Sequence, residues 1–502
     1  MATAATEKHP RGLYVLFGTE MWERFSFYTV QAMLALYLRE SFSFSNAHAA
    51  SVVSWYSMAI YFTPLVGGLI ADRLTGYRKA IMIGGVSFMI GHALLAVPNN
   101  LFICYLALTF LVIGNGFFKP NVSSMVGNLY PEGSHLKDKA YLIFYMGINI
   151  GAFLGPIVAN FVRPRWGFHP AFFNGAIGMV FALVLFGLNQ KYVRQADKKL
   201  GIDDEAVAVT EDLPPVSEQA AAMEAVPEWK RVSALIVIFV IVIVFWMVFH
   251  QNSLSLIWWA NDHSRALPGI LSFAINPLYI ILLSVPLAMF WTWLDKKNLE
   301  PSTPVKIMLG MILTGLTFLL LSFSARTGGF TKPVFKVLKS SAAETLVSIS
   351  PEARDHLKIT AKPIRIDEKT EAWRVQSSGP SEEGEYVRLE SHSGDAITVA
   401  PVSRVSALWL IVAYGILSIG ELMLSPMGLS LVSQVAPIRM RGLMMGGWFA
   451  ATAIGNKLTG IAGFWDLWSH ANFFLVLASM ALVMAGVLAV LLRPLKKAMP
   501  GV

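Results

Sequence analysis

The sequence predicts an all-α polytopic membrane protein with about twelve transmembrane helices, and three observations carry that prediction. Hydrophobic residues make up 55% of the 502-residue chain and charged residues only 14%, and the mean hydropathy is +0.55. Apolar runs of about twenty residues, the length a ~30 Å hydrocarbon core demands, recur from one end of the chain to the other. A polar stretch at 190–231 parts the first six runs from the rest.

The spans follow in order. The first, 13–39, is apolar apart from Glu20, Glu23 and Arg24; the second, 50–74, ends at Gly76; the third, 79–97, ends at the Pro98-Asn-Asn100 turn signal. The fourth, 101–128, contains Lys119-Pro120. The fifth, 139–162, presents Gly151 and Gly155 at a close-packing G-x-x-x-G spacing. The sixth, 171–189, starts after Pro170. The seventh, 232–260, is Val- and Ile-rich; the eighth, 268–294, contains Asn276-Pro277, where the proline is expected to free a carbonyl and kink the helix. The ninth covers 304–324. The tenth, 405–433, carries Glu421 beside Pro426; the eleventh, 440–464, is glycine-rich; the twelfth, 471–492, stops before Arg493-Pro494. The domain reading is a six-helix half at 1–189, a cytoplasmic linker at 190–231 without a further membrane helix, a second half at 232–323 and 405–493, and a tail at 494–502. Between helices nine and ten, residues 324–404 alternate polar and apolar positions at 363–366, 386–389 and 396–399, which predicts a small β-rich, non-cytoplasmic insert.

The formal charge of +8 is explained by where the cations fall. Lys8, Arg11, Arg73, Arg78, Lys79, Lys137, Lys139, Lys296, Lys297, Lys306, Arg439, Arg441, Arg493, Lys496 and Lys497 gather on one side, against Arg39, Arg163, Arg165 and Arg265 opposite. The positive-inside rule then puts both termini in the cytoplasm. No aromatic-interleaved basic patch argues for nucleic acid. The single Cys104 excludes an intrachain disulfide and reads as a small core residue. The first apolar run is too long and too charged for a cleaved signal peptide, so it reads as helix one of a multi-pass protein of the cell (inner) membrane.

Charge inside the membrane needs a reason, because each such residue costs at least ~2.5–3.5 kcal/mol unless paired or hydrated. Glu20, Glu23, Arg24 and Tyr28 stand within about two turns of one helix. Lys119 must either lose its proton or find an anion, a carboxylate of another helix or a substrate, and Glu421 is the lone membrane carboxylate of the second half. Asn149 reads either as glue between helices or as a site residue. Six helices, a linker and six more is the arrangement of the major facilitator architecture, with its site near the midplane between the halves. Gly68-Leu-Ile-Ala-Asp72-Arg73-Leu-Thr-Gly76-Tyr-Arg78-Lys79 is similar to the cytoplasmic loop motif of that superfamily, with Gly68 allowing close helix approach and Asp72 and the cations pairing with a neighbouring helix end.

Six motifs, spread from helix one to helix ten, resemble those of the proton-coupled oligopeptide transporters, the POT or PTR family. They are Glu20-x-x-Glu23-Arg24-Phe-x-x-Tyr28, Phe118-Lys119-Pro120-Asn121, Phe144-Tyr145-x-x-Ile-Asn149-x-Gly151, Phe245-Trp246-x-x-x-x-Gln251, Asn276-Pro277 and Glu421-x-x-x-Ser425-Pro426-x-Gly428. The resemblance implies a proton-driven symporter of di- and tripeptides working by alternating access, with no cofactor beyond the proton as coupling ion and no required oligomer. It implies proton coupling by Glu20, Glu23, Arg24 and Lys119, and contact of Lys119 with the peptide carboxylate. Tyr28 and Tyr61 match tyrosines that reach the peptide, Asn149, Asn276 and Glu421 match groups at its backbone and amino terminus, and Trp246 and Trp448 match aromatics of the side-chain space; Ser425 belongs to the same site. A zwitterionic peptide fits a cavity with a cation opposite an anion, and Lys119 and Glu421 supply one from each half.

The chain departs from the family at three positions, one of them Phe27, which replaces a frequent tyrosine with little functional change expected. Gln31 stands where a basic residue is usual and His250 where an acid is frequent. Changing both avoids a lone buried charge. The expectation is an outer gate closed by a Gln31–His250 hydrogen bond or by none, with Lys119 and Glu421 still paired and His250 added to the proton-coupling and substrate-binding sets. Competing readings are a proton-coupled carrier of nitrate or another small metabolite and a peptide receptor that does not transport. An enzyme lacks support, since no H-E-x-x-H, G-x-S-x-G or Cys/His metal motif is found.

Overall fold

A computed structural model describes residues 8–98, 100–131, 136–197, 223–341, 344–367 and 370–500. The first half holds α1 (Arg11–Phe42), α2 (Asn46–Ile70), α3 (Tyr77–Leu95), α4 (Leu101–Asn128), α5 (Leu136–Trp166) and α6 (Phe168–Leu188). The second holds α7 (Glu228–Phe249), α8 (Ile275–Asp295), α9 (Thr303–Thr327), a short α10 (Pro351–Leu357) within the insert, α11 (Ala407–Val435), α12 (Arg441–Leu458) and α13 (His470–Ala498). Among the described residues ten helices are long and apolar enough to cross a membrane. The two long helices outside that set are α1, which carries Glu20, Glu23 and Arg24 at its middle, and the shorter α12. Many large apolar side chains, including Phe102, Leu188 and Val490, are exposed, as expected of an integral membrane protein whose outer surface meets lipid. The middle of the linker, 198–222, lies outside the described residues; Gln190–Tyr192 and Arg194–Ala196 on its near side form 3₁₀ turns.

Within the first half α1 packs between α5 and α6, and α4 between α2 and α3; the halves meet where α2 faces α12 and α5 faces α8. The G-x-x-x-G face of α5 lies against α1: a Cβ on Gly151 would stand 2.8 Å from Phe25 N and 2.9 Å from Arg24 Cβ, and one on Gly155 would stand 3.0 Å from Thr29 Oγ1. The close approach assigned to Gly68 belongs instead to its neighbour. A Cβ at Gly68 would meet Pro120 Cβ at an ordinary 3.6 Å, whereas one at Gly67 would run into the backbone of Gly116, 2.9 Å from Phe117 N.

Two further expectations are corrected. Pro277 does not kink helix eight, because α8 begins at Ile275 and the proline sits in its first turn, where a missing N–H breaks no helical hydrogen bond. The interruption precedes it, between a short turn of helix at Gly269–Ser272 and α8. In the loop motif, Asp72 accepts from Tyr77 Oη at 2.9 Å, while Arg78 pairs with Asp197 of the linker at 2.7 Å. Asp197 also accepts from the backbone N–H groups of Tyr77 and Arg78, placing a carboxylate at the N-terminus of α3, where the helix dipole favours it.

The insert contains β1 (Val334–Ser340), β2 (Thr345–Ser348), β3 (Glu371–Ser377), β4 (Tyr386–Ser393) and β5 (Ala396–Pro401). A two-residue strand, Ile364–Arg365, pairs onto β3. Strand order β1-β2-β3-β5-β4, with β4 returning to β1, closes a small barrel in which only β3 and β5 run parallel. Alternate side chains point inward, among them Phe335 and Val337, Trp373 and Val375, and Val387 and Leu389. The chain leaves and re-enters the bundle at one point, where Ser403 N donates to Gly328 O at 2.9 Å.

Gly151→Val should force α1 and α5 apart and lower the stability of the purified protein by ~1–3 kcal/mol, read as a lower melting temperature. Gly187→Val, at a site where a Cβ meets nothing within 4 Å, should leave the melting temperature unchanged.

Candidate functional site

The polar cluster of α1 is assembled by helical spacing. Glu20, Arg24 and Tyr28 recur every four residues and so share a face, and Glu23 stands beside Arg24. All three charged side chains are at most 2% exposed. Arg24 Nε and Nη2 both donate to Glu23, the latter to Oε1 at 2.6 Å. Its contact with Glu20 is looser, 3.3 Å from Nε to Oε1, and Glu20 Oε2 has no hydrogen-bond partner among the described residues. The guanidinium also lies 4.6 Å from the centroid of the Phe27 ring and donates to Asn115 Oδ1 at 3.2 Å.

Lys119 on α4 makes no ion pair with the described residues. Its ammonium sits 4.9 Å from the centroid of Tyr61, whose negative face attracts it, and it lies within Coulombic reach of Glu20, Glu23 and Arg24. The expected Lys119–Glu421 pair is therefore absent: Glu421 on α11 is held by Asn276 of α8, whose Nδ2 donates to Glu421 Oε2 at 2.9 Å and to Ser418 Oγ at 2.9 Å. Tyr28, Tyr61 and Tyr145 of the first half lie within Coulombic reach of Glu421. A cation and an anion thus face the seam from opposite halves, each with its own local partner.

The Gln31–His250 hydrogen bond is not formed; Gln31 Oε1 and His250 Nε2 are both without partners among the described residues. His250 follows the end of α7, in a 3₁₀ turn over His250–Ser253, with its ring against Trp246, Phe249 and Tyr61. Trp246 and Trp448 are buried, the first in that aromatic stack and the second against Phe239, where Gly428 leaves it room. Gln251 serves structure: it donates to Met247 O and Thr459 O and accepts from Ser255. Asn149 Nδ2 donates to Tyr145 O of its own helix, so it is not glue between helices here. A cavity of about 520 Å³ opens between α5 and α8, lined by Tyr145, Asn149, Ile280, Ser284 and Lys296 among others. Asn149 is the one predicted site residue on its wall. Ser425 is half-buried on α11. Among the described residues, no cluster of three or more His, Cys, Asp or Glu is arranged to hold a metal ion.

Sequence reasoning passed over Asn115, Ser418 and Tyr145, although each stands three or four residues from a residue it selected: Lys119, Glu421 and Asn149. It also missed how one end of the bundle is closed. Four side-chain contacts join the halves at the end bearing the insert. Arg39 Nη2 pairs with Asp262 at 2.9 Å, Asn46 Nδ2 donates to Asp466 Oδ1 at 2.7 Å, Ser45 Oγ donates to Glu352 Oε1 of the insert at 2.7 Å, and Lys457 Nζ donates to Ser54 Oγ at 3.2 Å. Ser45 is the N-cap of α2 and Asn46 its first residue, so two carboxylates from the other half hold the positive end of that helix. Burial pushes the Asp466 carboxyl up, against the Asn46 hydrogen bond and the Arg39 charge. Tyr386 of β4 stacks edge-on with His263, 4.6 Å between centroids, and its phenol is likewise pushed up by burial.

The sequence profile of the POT family matches residues 78–202, 197–355 and 388–464. Full-length relatives include an uncharacterized transporter of Bacillus subtilis (strain 168), 27% identical over 98% of this chain and 96% of its own. A di-/tripeptide transporter of Lactococcus lactis subsp. cremoris is 25% identical over the same shares, and dipeptide and tripeptide permease A of Escherichia coli (strain K12) is 26% identical over 91% of this chain and 84% of its own. Among solved structures, a POT family transporter in complex with 5-aminolevulinic acid superposes with a TM-score of 0.75 at 27% identity, covering 98% of each chain.

Asp262→Asn should loosen the insert end by removing the partner of Arg39, at a cost between the ~1 kcal/mol of an exposed pair and the ~3–5 kcal/mol of a buried one. Spin labels at the exposed Val97 and Leu408 should move apart in that variant. They should keep their separation in Glu344→Gln, which breaks a pair with Arg374 internal to the insert.

Proposed function

Taking as premise that this chain belongs to the POT family, we propose that it carries di- and tripeptides into the cell together with protons by alternating access. The observation that carries this reading is the polarity across the seam: Lys119 over the Tyr61 ring and within reach of the Glu20–Glu23–Arg24 cluster in one half, and Glu421 held by Asn276 in the other. A short peptide presents a carboxylate at one end and an ammonium at the other, so the two halves offer complementary charges. Neither Lys119 nor Glu421 is in an ion pair with the other, and each is available to a peptide terminus. The α5–α8 cavity has a volume within the ~300–1,000 Å³ common to small-ligand sites, and it reaches the seam at Tyr145 and Asn149 without being lined by Lys119 or Glu421.

In this reading α1 and α12 cross the membrane with the ten apolar helices, giving twelve spans in two six-helix halves, with both termini cytoplasmic and the barrel insert outside. The contacts at the insert end support an inward-facing arrangement: that end is tied shut, and the α5–α8 cavity lies toward the end bearing the termini. Opening outward then requires release of Arg39 from Asp262 and of the α2 N-terminus from Glu352 and Asp466. Glu20, Glu23 and Arg24 form the proton switch. Burial and the guanidinium pull in opposite directions on whether those carboxyls hold a proton, so protonation and movement of Arg24 are coupled. Asn149 and Ser425 meet the peptide backbone, Gln31, Trp246 and Trp448 bound its side-chain space, and His250 packs on Tyr61, the ring that Lys119 also faces. An inward-moving proton gains ~2.3 kcal/mol per 100 mV, enough to concentrate a peptide roughly fifty-fold.

Uptake of dialanine and trialanine into proteoliposomes, with pH gradient and membrane potential imposed separately, tests this. Either force should drive accumulation. Lys119→Ala should cut driven uptake at least tenfold, and Glu421→Gln should abolish uphill accumulation. Uptake indifferent to both forces would refute proton coupling, and uphill accumulation by Glu421→Gln would remove Glu421 from the mechanism.

A further inference from the structure

Arg24 is held by more than its two glutamates. Pro64 interrupts α2 from within and has no N–H, so the carbonyl of Ile60, one turn earlier, has no helical donor. In the membrane interior that carbonyl must be satisfied from elsewhere. Asn115 of α4 does so: its Nδ2 donates to Ile60 O at 2.7 Å. With the nitrogen committed to the carbonyl, the amide can turn only its oxygen toward α1, and Oδ1 accepts from Arg24 Nη2 at 3.2 Å. The reversed amide would set a donor against the guanidinium and an acceptor against the carbonyl, losing both bonds. Asn115 is 1% exposed, so water offers no ready substitute.

This tether sets the direction of the guanidinium. With Nη2 drawn toward Asn115, the Nε and Nη2 edge lies along both oxygens of Glu23, while Glu20 keeps one contact at 3.3 Å and an oxygen without a partner among the described residues. The two glutamates, three residues apart on one helix, are thereby made unequal. The ionisable groups that face Arg24 are Glu20, Glu23 and Tyr28 on α1, Tyr56 and Tyr61 on α2, and Lys119 on α4; α5 meets it with Gly151. Of these only Glu23 hydrogen-bonds it.

We infer that Asn115 is a positioning residue which, anchored on the carbonyl that Pro64 leaves free, directs Arg24 onto Glu23 and leaves Glu20 as the carboxyl that takes up the proton. The inference rests on the proton-coupling reading for its purpose but not for its geometry. Two substitutions at different helices undo the same tether. Asn115→Leu removes the amide. Pro64→Ala restores an N–H that competes for Ile60 O and frees the Asn115 side chain to turn. In either variant the guanidinium is free to share itself between the glutamates, so its charge opposes protonation of Glu20 more strongly.

The test is pH-dependent infrared difference spectroscopy of the purified full-length protein, with the carboxylic C=O band assigned by its loss in Glu20→Gln. In Asn115→Leu and in Pro64→Ala the pH at which half of that band is present should move about one unit toward acid. The double variant should move no further than Asn115→Leu alone, because both changes act through one interaction. An unmoved band in both variants, a shift in Asn115→Leu without one in Pro64→Ala, or a band lost in Glu23→Gln instead of Glu20→Gln would each overturn the inference. If the band behaves as stated while wild-type vesicles accumulate no peptide on a proton gradient, the coupling reading fails and the placement of Arg24 stands. If wild-type vesicles accumulate peptide on the gradient while the band stays unmoved in both variants, the placement of Arg24 fails and the coupling reading stands.

Discussion

A guanidinium shared between carboxylates in the interior of a helix bundle is the constraint around which the first half is arranged. Hydrocarbon supplies no hydrogen bonds, so Arg24 needs acceptors on several sides, and those come from three sources: Glu23, Glu20 and the amide of Asn115. Each has a packing consequence. Gly151 and Gly155 let α5 close over the back of α1 at the level of Arg24 and Phe25. Gly67 lets α2 come against α4 near the turn that carries Asn115 and Lys119. The small residues of these helices and the charges among them belong to one design: backbones must approach closely for short polar side chains to reach across.

The second half meets the same requirement with less charge. Glu421 is steadied by an amide, and Asn276 is in turn placed by Ser418, whose hydroxyl donates to Tyr414 O. Two prolines have opposite effects on the polar groups of the bundle. Pro64 sits inside α2 and exposes a carbonyl that another helix must satisfy, while Pro277 sits in the first turn of α8 and exposes nothing. At the insert end the halves are joined by a different chemistry again, in which carboxylates engage the first turn of α2 and the dipole of that helix adds to each hydrogen bond.

Helix existence was legible from hydropathy because a bilayer sets a length that few other environments require. Helix four was read to its residue limits, 101–128. The charged cluster of α1 and the acid of α11 stood out because hydrocarbon makes such residues expensive. Pairing was less legible. Lys119 and Glu421 were matched as the obvious opposite charges, yet the structure gives Lys119 an aromatic face and Glu421 an amide, since side chains on α4 and α11 find nearer partners on α2 and α8. Asn115 and Ser418 escaped selection because their partners lie on other helices, and Tyr145 stood in a quoted motif without a role of its own. In the insert, β1, β2 and β3 were not read as strands: Thr345–Ser348 is too short to show a period, and the seven-residue Glu371–Ser377 breaks alternation with adjacent buried Ala372 and Trp373. Arg39 and Asp262 lie 223 residues apart, a separation no local pattern bridges.

The hydrogen bond between Ser403 and Gly328 has a bearing on descent. A chain that leaves a scaffold and returns to neighbouring backbone groups asks nothing of the scaffold except a short turn, and a barrel closed on itself leaves no edge strand for the scaffold to cover. Length and composition between those two residues are therefore uncoupled from the geometry of α9 and α11. The bundle and the barrel are free to drift under separate selection, one answering to lipid and the other to the polar surroundings of its own surface, with Glu352 and Tyr386 as points where their histories must agree.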